Sequence, residues 1–194
     1  MIGKVSKVPW RSVVTAAATA AVLSPLMGVP QAAAASGAST SQEEPLRIVT
    51  FADKCLTVSD GSAEDGAVID QYPCVDPQNP YAHAQKFTFV QVSDGRYKIK
   101  TFAGKCLTVS NESTANSAVI DQYRCEDLAA QKFRIRPILE ESGYSQILTF
   151  VDKCLTVWDG SAANSAVIDQ YPCVDPYRYA QKFRIQPPSA PLPT

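Results

Sequence analysis

The sequence predicts an all-β fold of three internal repeats set around a pseudo-threefold axis, and three observations predict it. The pentapeptide Lys54-Cys55-Leu56-Thr57-Val58 returns at residues 105–109 and 153–157. Each copy is followed by Ala-Val-Ile-Asp-Gln-Tyr-x-Cys, at residues 67–74, 118–125 and 166–173, and closes on Gln-Lys-Phe at 85–87, 131–133 and 181–183. Within a copy the local signals are strand and turn only, with no helical 3.6-residue period of useful length after the N-terminal segment.

The elements follow in order. Residues 47–51 carry the β-formers Ile48, Val49 and Phe51, and residues 55–58 form a second short run. Asp60-Gly61-Ser62 opens a turn-rich loop, residues 68–72 make a third run, and residues 87–90 a fourth. Four short strands in each of three repeats predict twelve strands. None is large enough to be stable alone, but stacked around one axis they share a core, which is the β-trefoil arrangement. A propeller needs more and differently spaced units. The repeats span 46–91, 96–137 and 144–186, with Ser93-Asp94-Gly95 and Glu141-Ser142-Gly143 as turns between them. Alternation along the third strand sets Ile69 and Gln71 on one face and Val68, Asp70 and Tyr72 on the other. With Ile69 facing the core, Asp70 and Tyr72 point together toward the loop before Gln85. Gln71 then faces inward, where an amide requires partners.

The chain ends differ from the repeats. Lys4, Lys7 and Arg11 precede an Ala/Val/Leu-rich stretch from residue 13 to about 29, and Ala32-Ala33-Ala34-Ala35-Ser36 follows. Charged, apolar and small residues in that order predict a secretory signal over 1–35, cut within a residue or two of Ala35. Pro25 and Pro30 interrupt the apolar run, which argues against a membrane anchor. Removal of 1–35 takes away three of 18 basic and none of 19 acidic residues, leaving 15 against 19 and a net charge of −4. That balance gives no electrostatic reason to expect nucleic acid or an anionic membrane as partner. Residues 36–45 read as a flexible polar arm and 187–194 as a Pro-rich tail.

All six cysteines lie in the repeats, at a constant separation of nineteen positions. Equivalent units close equivalent bonds, so the pairs expected are Cys55–Cys74, Cys106–Cys125 and Cys154–Cys173. Each stabilises by about 3 kcal/mol in the chain-entropy model, and export supplies the oxidising conditions. Zinc is disfavoured, because there is no Cys-x-x-Cys pair and one histidine, His83.

On Lys-Cys-Leu-x-Val, on a second Cys nineteen positions later preceded by aromatic-x, and on the closing Gln-x-aromatic, residues 46–186 resemble ricin-type (R-type) β-trefoil lectins, also called family 13 carbohydrate-binding modules. The resemblance implies a shallow sugar pocket in each repeat. A ring there offers an apolar plane to a pyranose face, and carboxylates and amides bond its hydroxyls. By position Tyr72, Tyr123 and Tyr171 match the stacking aromatic, and Asp70, Asp121 and Asp169 fall where the family usually has Gln. Gln85, Gln131 and Gln181 match the closing Gln, which either binds sugar or braces a turn. Two positions depart from the family. Its pocket Asp, two residues after the first Cys, is here Thr57, Thr108 and Thr156, and its Asn before the closing Gln is Ala84, Ala130 and Ala180. Either Asp70 and its equivalents supply the missing charge from the neighbouring strand, or sugar binding is lost and the scaffold remains. The closing aromatics Phe87, Phe133 and Phe183 are expected in the core.

Other residues are weighed on the same terms. Trp158 stands where the other repeats have Ser59 and Ser110, and is either a binding platform favouring the third repeat or a cap on the core. The oxygens of residues 60–66 suggest Ca²⁺, but residues 111–117 and 159–165 do not keep the acids, and turn chemistry explains them. No metal or cofactor is expected. His83 has no counterpart, and a repeat offers one residue three times where catalysis needs divergent roles, so no enzyme is expected. The function expected is a secreted, non-catalytic carbohydrate-binding protein with up to three weak tyrosine-centred pockets. The alternative is a trefoil scaffold that binds a protein, such as a protease, through the Pro- and Tyr-bearing loops 75–84 and 174–180.

Overall fold

The computed structural model describes residues 44–173 and 179–192. The expected signal at 1–35, arm residues 36–43, loop residues 174–178 and the last two residues of the tail lie outside the described residues. The first repeat folds as β1 (Arg47–Val49), β2 (Lys54–Val58), β3 (Ala67–Pro73) and β4 (Thr88–Gln91). The second is β5 (Tyr97–Lys100), β6 (Cys106–Val109), β7 (Ala118–Tyr123) and β8 (Arg134–Pro137). The third is β9 (Ser145–Leu148), β10 (Cys154–Val157), β11 (Ala166–Tyr171) and β12 (Arg184–Gln186). The twelve strands expected are therefore found among the described residues, joined by turns and by short 3₁₀ segments. No helix among these residues is long and apolar enough to cross a membrane.

The strands close into two rings. Antiparallel pairs β4–β5, β8–β9 and β12–β1 are joined by single bridges Leu46–Phe87, Tyr97–Phe133 and Ser145–Phe183 into a six-stranded barrel. The hairpins β2–β3, β6–β7 and β10–β11 make the second ring, because β3 pairs β7, β7 pairs β11 and β11 pairs β3. This is a β-trefoil. Closure leaves no long unpaired edge to recruit another chain.

The core is filled in threes. Phe87, Phe133 and Phe183 are fully buried, as expected, with Leu56, Leu107 and Leu155, and Ile69, Ile120 and Ile168. Burying each such side chain contributes about 1.5–3 kcal/mol, and no repeat could bury its own set unaided. Each disulfide forms as expected, with Cα atoms 4.9, 5.0 and 5.1 Å apart in sequence order.

The inward glutamine finds one partner in its own repeat and two in another. Gln71 Nε2 donates to the carbonyls of Ser161 (2.8 Å) and Ala163 (2.9 Å), and Thr50 Oγ1 donates to its Oε1 at 2.9 Å. Gln122 clasps Ser62 and Glu64 in the same way, and Gln170 clasps Ser113 and Ala115. Main-chain bonds from Gly66, Ser117 and Ser165 to the carbonyls of Gln122, Gln170 and Gln71 complete each clasp. All three glutamines are fully buried. The loop after β2 in one repeat is thus tied to the third strand of a neighbour, which brings loop residues of one repeat to the pocket of another.

Candidate functional site

Each pocket starts from a cross-strand pair. Antiparallel register sets Thr57 opposite Asp70, Thr108 opposite Asp121 and Thr156 opposite Asp169. The threonine hydroxyl is engaged within the fold. Thr57 donates to the Cys55 carbonyl at 2.9 Å, and Thr108 and Thr156 donate to those of Cys106 and Cys154 at 3.0 Å. Each also accepts from the closing glutamine: Gln85 at 3.2 Å, Gln131 at 3.1 Å and Gln181 at 3.2 Å. The carboxylate comes from the facing strand instead.

That carboxylate is poorly solvated. Asp70 is 5% and Asp169 3% exposed, and Oδ1 of each has no hydrogen-bond partner. Burial raises Asp70 to about 6, a hydrogen bond from Ser59 opposes the rise, and the neighbouring charge of Asp60 adds to it. Burial likewise raises Asp169 to about 6, opposed by hydrogen bonds from Ser117 and from its own main chain. Half-buried Asp121 is also raised by burial, opposed by Ser110 and reinforced by Asp65. The partners differ because Trp158 replaces the serine in the third repeat, so Ser117 of the second repeat takes its place.

Around each carboxylate lies an open cavity. The first, about 360 Å³, is walled by Asp70, Tyr72, Asn79 and Tyr81, with Asp60 on its rim and Ser165 entering from the third repeat. The second, about 610 Å³, brings together Asp121, Tyr123, Glu112 and Leu128, with Asp65 and Gly66 from the first repeat. The third, about 140 Å³, holds Asp169, Tyr171, Trp158 and Asp159, with Ser117 from the second. The aromatics present usable faces: Tyr72 is 47% and Trp158 53% exposed. Trp158 thus stands in the pocket wall and not as a cap on the core. In the second repeat the Arg124 guanidinium lies 5.0 Å from the Tyr123 ring centre, where the other repeats have Pro73 and Pro172. One face of Tyr123 is therefore already covered.

The closing glutamines hold the turn together, one of the two roles the sequence leaves open for them. Gln85 borders the first cavity, but its Nε2 donates to the Pro73 carbonyl (3.0 Å) as well as to Thr57, and its Oε1 accepts from Val75 N–H at 3.0 Å. Gln131 and Gln181 are fully buried and donate to the carbonyls of Arg124 and Pro172, both at 2.9 Å. His83 is a packing residue: its ring meets Phe102 edge-on at 4.4 Å and sits against Gly61.

Sequence reasoning missed Tyr81 and Asn79, which belong to a loop with no counterpart in the second repeat. It also missed Gly66, Ser117 and Ser165. Their signal was a small residue before each Ala-Val-Ile-Asp, a position that takes a positive φ of 80°, 59° and 59° in turn.

The family model described as ricin-type beta-trefoil lectin domain-like matches residues 83–171. Among solved structures, a designed 3-fold symmetric protein, ThreeFoil, superposes with a TM-score of 0.65 at 27% identity, over 73% of this chain and 97% of that one. A Macrolepiota procera ricin B-like lectin, solved in complex with lactose, gives 0.61 at 12% identity, over 76% of this chain and 97% of that one. An exo-beta-1,3-galactanase from Clostridium thermocellum gives 0.66 at 24% identity, over 75% of this chain. The chain spans 30% of that enzyme's length. The latter two likenesses concern the fold. A search of curated proteins finds no match. The chain is thus a β-trefoil that over residues 83–171 is similar to ricin-type, lectin-like domains.

Proposed function

We propose that this protein is a secreted, non-catalytic lectin that binds carbohydrate weakly through up to three tyrosine-centred pockets. The observation that carries the reading recurs in each repeat: a buried or half-buried aspartate, set opposite a threonine, beside a tyrosine at the cavity wall. A ring beside a hydrogen-bonding carboxylate suits a pyranose, whose C–H face is apolar and whose hydroxyls donate. The carboxylate that related lectins carry on the second strand is supplied here from the third, so the chemistry is kept while its origin is moved. Non-catalytic action is supported by threefold repetition of one side-chain set. Secretion is supported by the order of residue types in 1–35 and by three disulfides, which require an oxidising compartment.

The test is a glycan and polysaccharide screen of the protein beside the triple variant Tyr72→Ala, Tyr123→Ala, Tyr171→Ala. Binding by the parent and its loss in the variant are expected. A parent that binds no glycan at high concentration would sink the proposal.

A further inference from the structure

Among the described residues all three cavities are lined by acids and by no base. The first contains Asp60 and Asp70, the third Asp159 and Asp169, and the second Glu112 and Asp121 with Asp65 at its edge. Among the described residues no lysine, arginine or histidine lines any of them. The two basic groups nearest the second pocket are already paired, Lys105 with Asp65 at 2.5 Å and Arg124 with Glu126. The pattern persists although its source shifts. In the second repeat Asn111 stands where the others have Asp60 and Asp159, and the next residue, Glu112, brings the carboxylate back to the rim.

A rim carboxylate, a floor carboxylate and an aromatic wall together recognise a compact organic cation. Charge-assisted hydrogen bonds are roughly twice as strong as neutral ones, and a ring face attracts a nearby ammonium. The unpartnered Oδ1 atoms of Asp70 and Asp169 are acceptors that lack a donor on the pocket floor. A metal ion fits less well, since the described residues contain no group of three or more His, Cys, Asp or Glu placed to hold one. An anionic sugar such as a uronate or sialate would meet two like charges.

Resting on the carbohydrate-binding reading, we propose that the ligand is an amino sugar with a free, protonated amine, held between the rim and floor carboxylates beside the pocket aromatic. The amine supplies the donors that the floor aspartate lacks, and its charge lowers the cost of keeping two carboxylates ionised together.

The experiment is calorimetric titration of the protein with a β-1,4-linked glucosamine oligosaccharide, its fully N-acetylated counterpart and a polyuronate. The three ligands are repeated on the variant Asp70→Asn, Asp121→Asn, Asp169→Asn. The free amine is expected to bind at least about tenfold more tightly than the acetylated form, to lose about that factor in the variant, and to weaken as pH falls through about 6. The polyuronate is expected not to bind. Equal binding of the two hexosamine ligands, or preference for the acetylated one, would overturn the amine assignment and leave the lectin reading standing. Amine binding unchanged in the variant would also overturn it, by placing the attraction on the general acidic surface. Failure of every saccharide, in this titration and in the wider screen, would remove both readings.

Discussion

Asp70 and Asp169 have carboxyls whose ordinary value of 3.8 is raised to about 6 by burial. Between those values the folded chain holds more protons than the unfolded chain, so stability falls as pH rises through the window and levels off above it. Urea unfolding should therefore give greater stability at pH 5 than at pH 7. Asp70→Asn with Asp169→Asn should flatten this dependence and raise stability at pH 7 by roughly 1–3 kcal/mol. A variant no more stable than the parent at pH 7 would contradict the burial argument. A second residue-scale device couples the turn after β2 to the loop before the closing glutamine. Gly61 and Gly160 have φ of +61° and +60° and face His83 and Tyr179, while Glu112 takes +51° at the same place in a repeat whose counterpart of those two residues is Ala129. A large partner goes with glycine and a small partner leaves room for a side chain. In Gly160→Ala the new Cβ would lie 2.3 Å from Tyr179 Oη. That change should cost about 1–3 kcal/mol in thermal unfolding, from the backbone and from displacing Tyr179. Glu112→Gly should be neutral or stabilising by up to about 1 kcal/mol.

Among elements, the glutamine clasp does what the strand ladders alone do not. The loop after β2 is rich in turn residues and buries little, yet its carbonyls are held by a buried amide from the next repeat. Gln122→Ala should destabilise by about 2–4 kcal/mol, since it removes two donors and leaves a cavity. Gln122→Glu should do no better, because a carboxylate cannot donate to Ser62 and Glu64. Chemical denaturation reads both, and a Glu variant matching the parent would refute the clasp. The inward face of Gln71 was legible from alternation along β3, but its partners were not. They lie ninety positions away in sequence, and which loop meets which strand depends on how repeats register around the axis. The strands were legible to within about two residues at their ends, because each is marked locally by β-formers and turn residues.

For the whole molecule, three pockets in one domain would make valence part of the proposed binding. Weak sites reach useful avidity only when several engage one surface. Removing a single tyrosine, as in Tyr72→Ala, should change affinity for a soluble monosaccharide by no more than one site's share. It should lower retention on an immobilised polysaccharide by more than about tenfold if sites act together. Surface plasmon resonance on sparse and dense ligand layers separates the two cases, and equal losses on both layers would show that the sites act singly. The pockets are not equivalent: Tyr81 extends the first, Arg124 covers a face of Tyr123 in the second, and Trp158 widens the aromatic wall of the third.

The buried phenylalanines were expected from the resemblance to ricin-type lectins, whereas the linear order alone carried the threefold repeat, the twelve strands and the disulfide pairs. These follow from short-range patterning and from a constant cysteine spacing, so no knowledge of how repeats meet was required. Only the tertiary structure decided what the repeats do for one another. It placed Ser165, Gly66 and Ser117 in pockets of a different repeat, gave the inward glutamines their carbonyls, and tied the closing glutamines to main-chain groups of the turn. It also sank the aspartates beneath the tyrosines, where the shift of a carboxylate from one strand to its neighbour keeps charge in the pocket. The physical reason is common to all of these: burial and hydrogen bonding are set by which segments close around the threefold axis, and that closure joins residues the linear order keeps far apart.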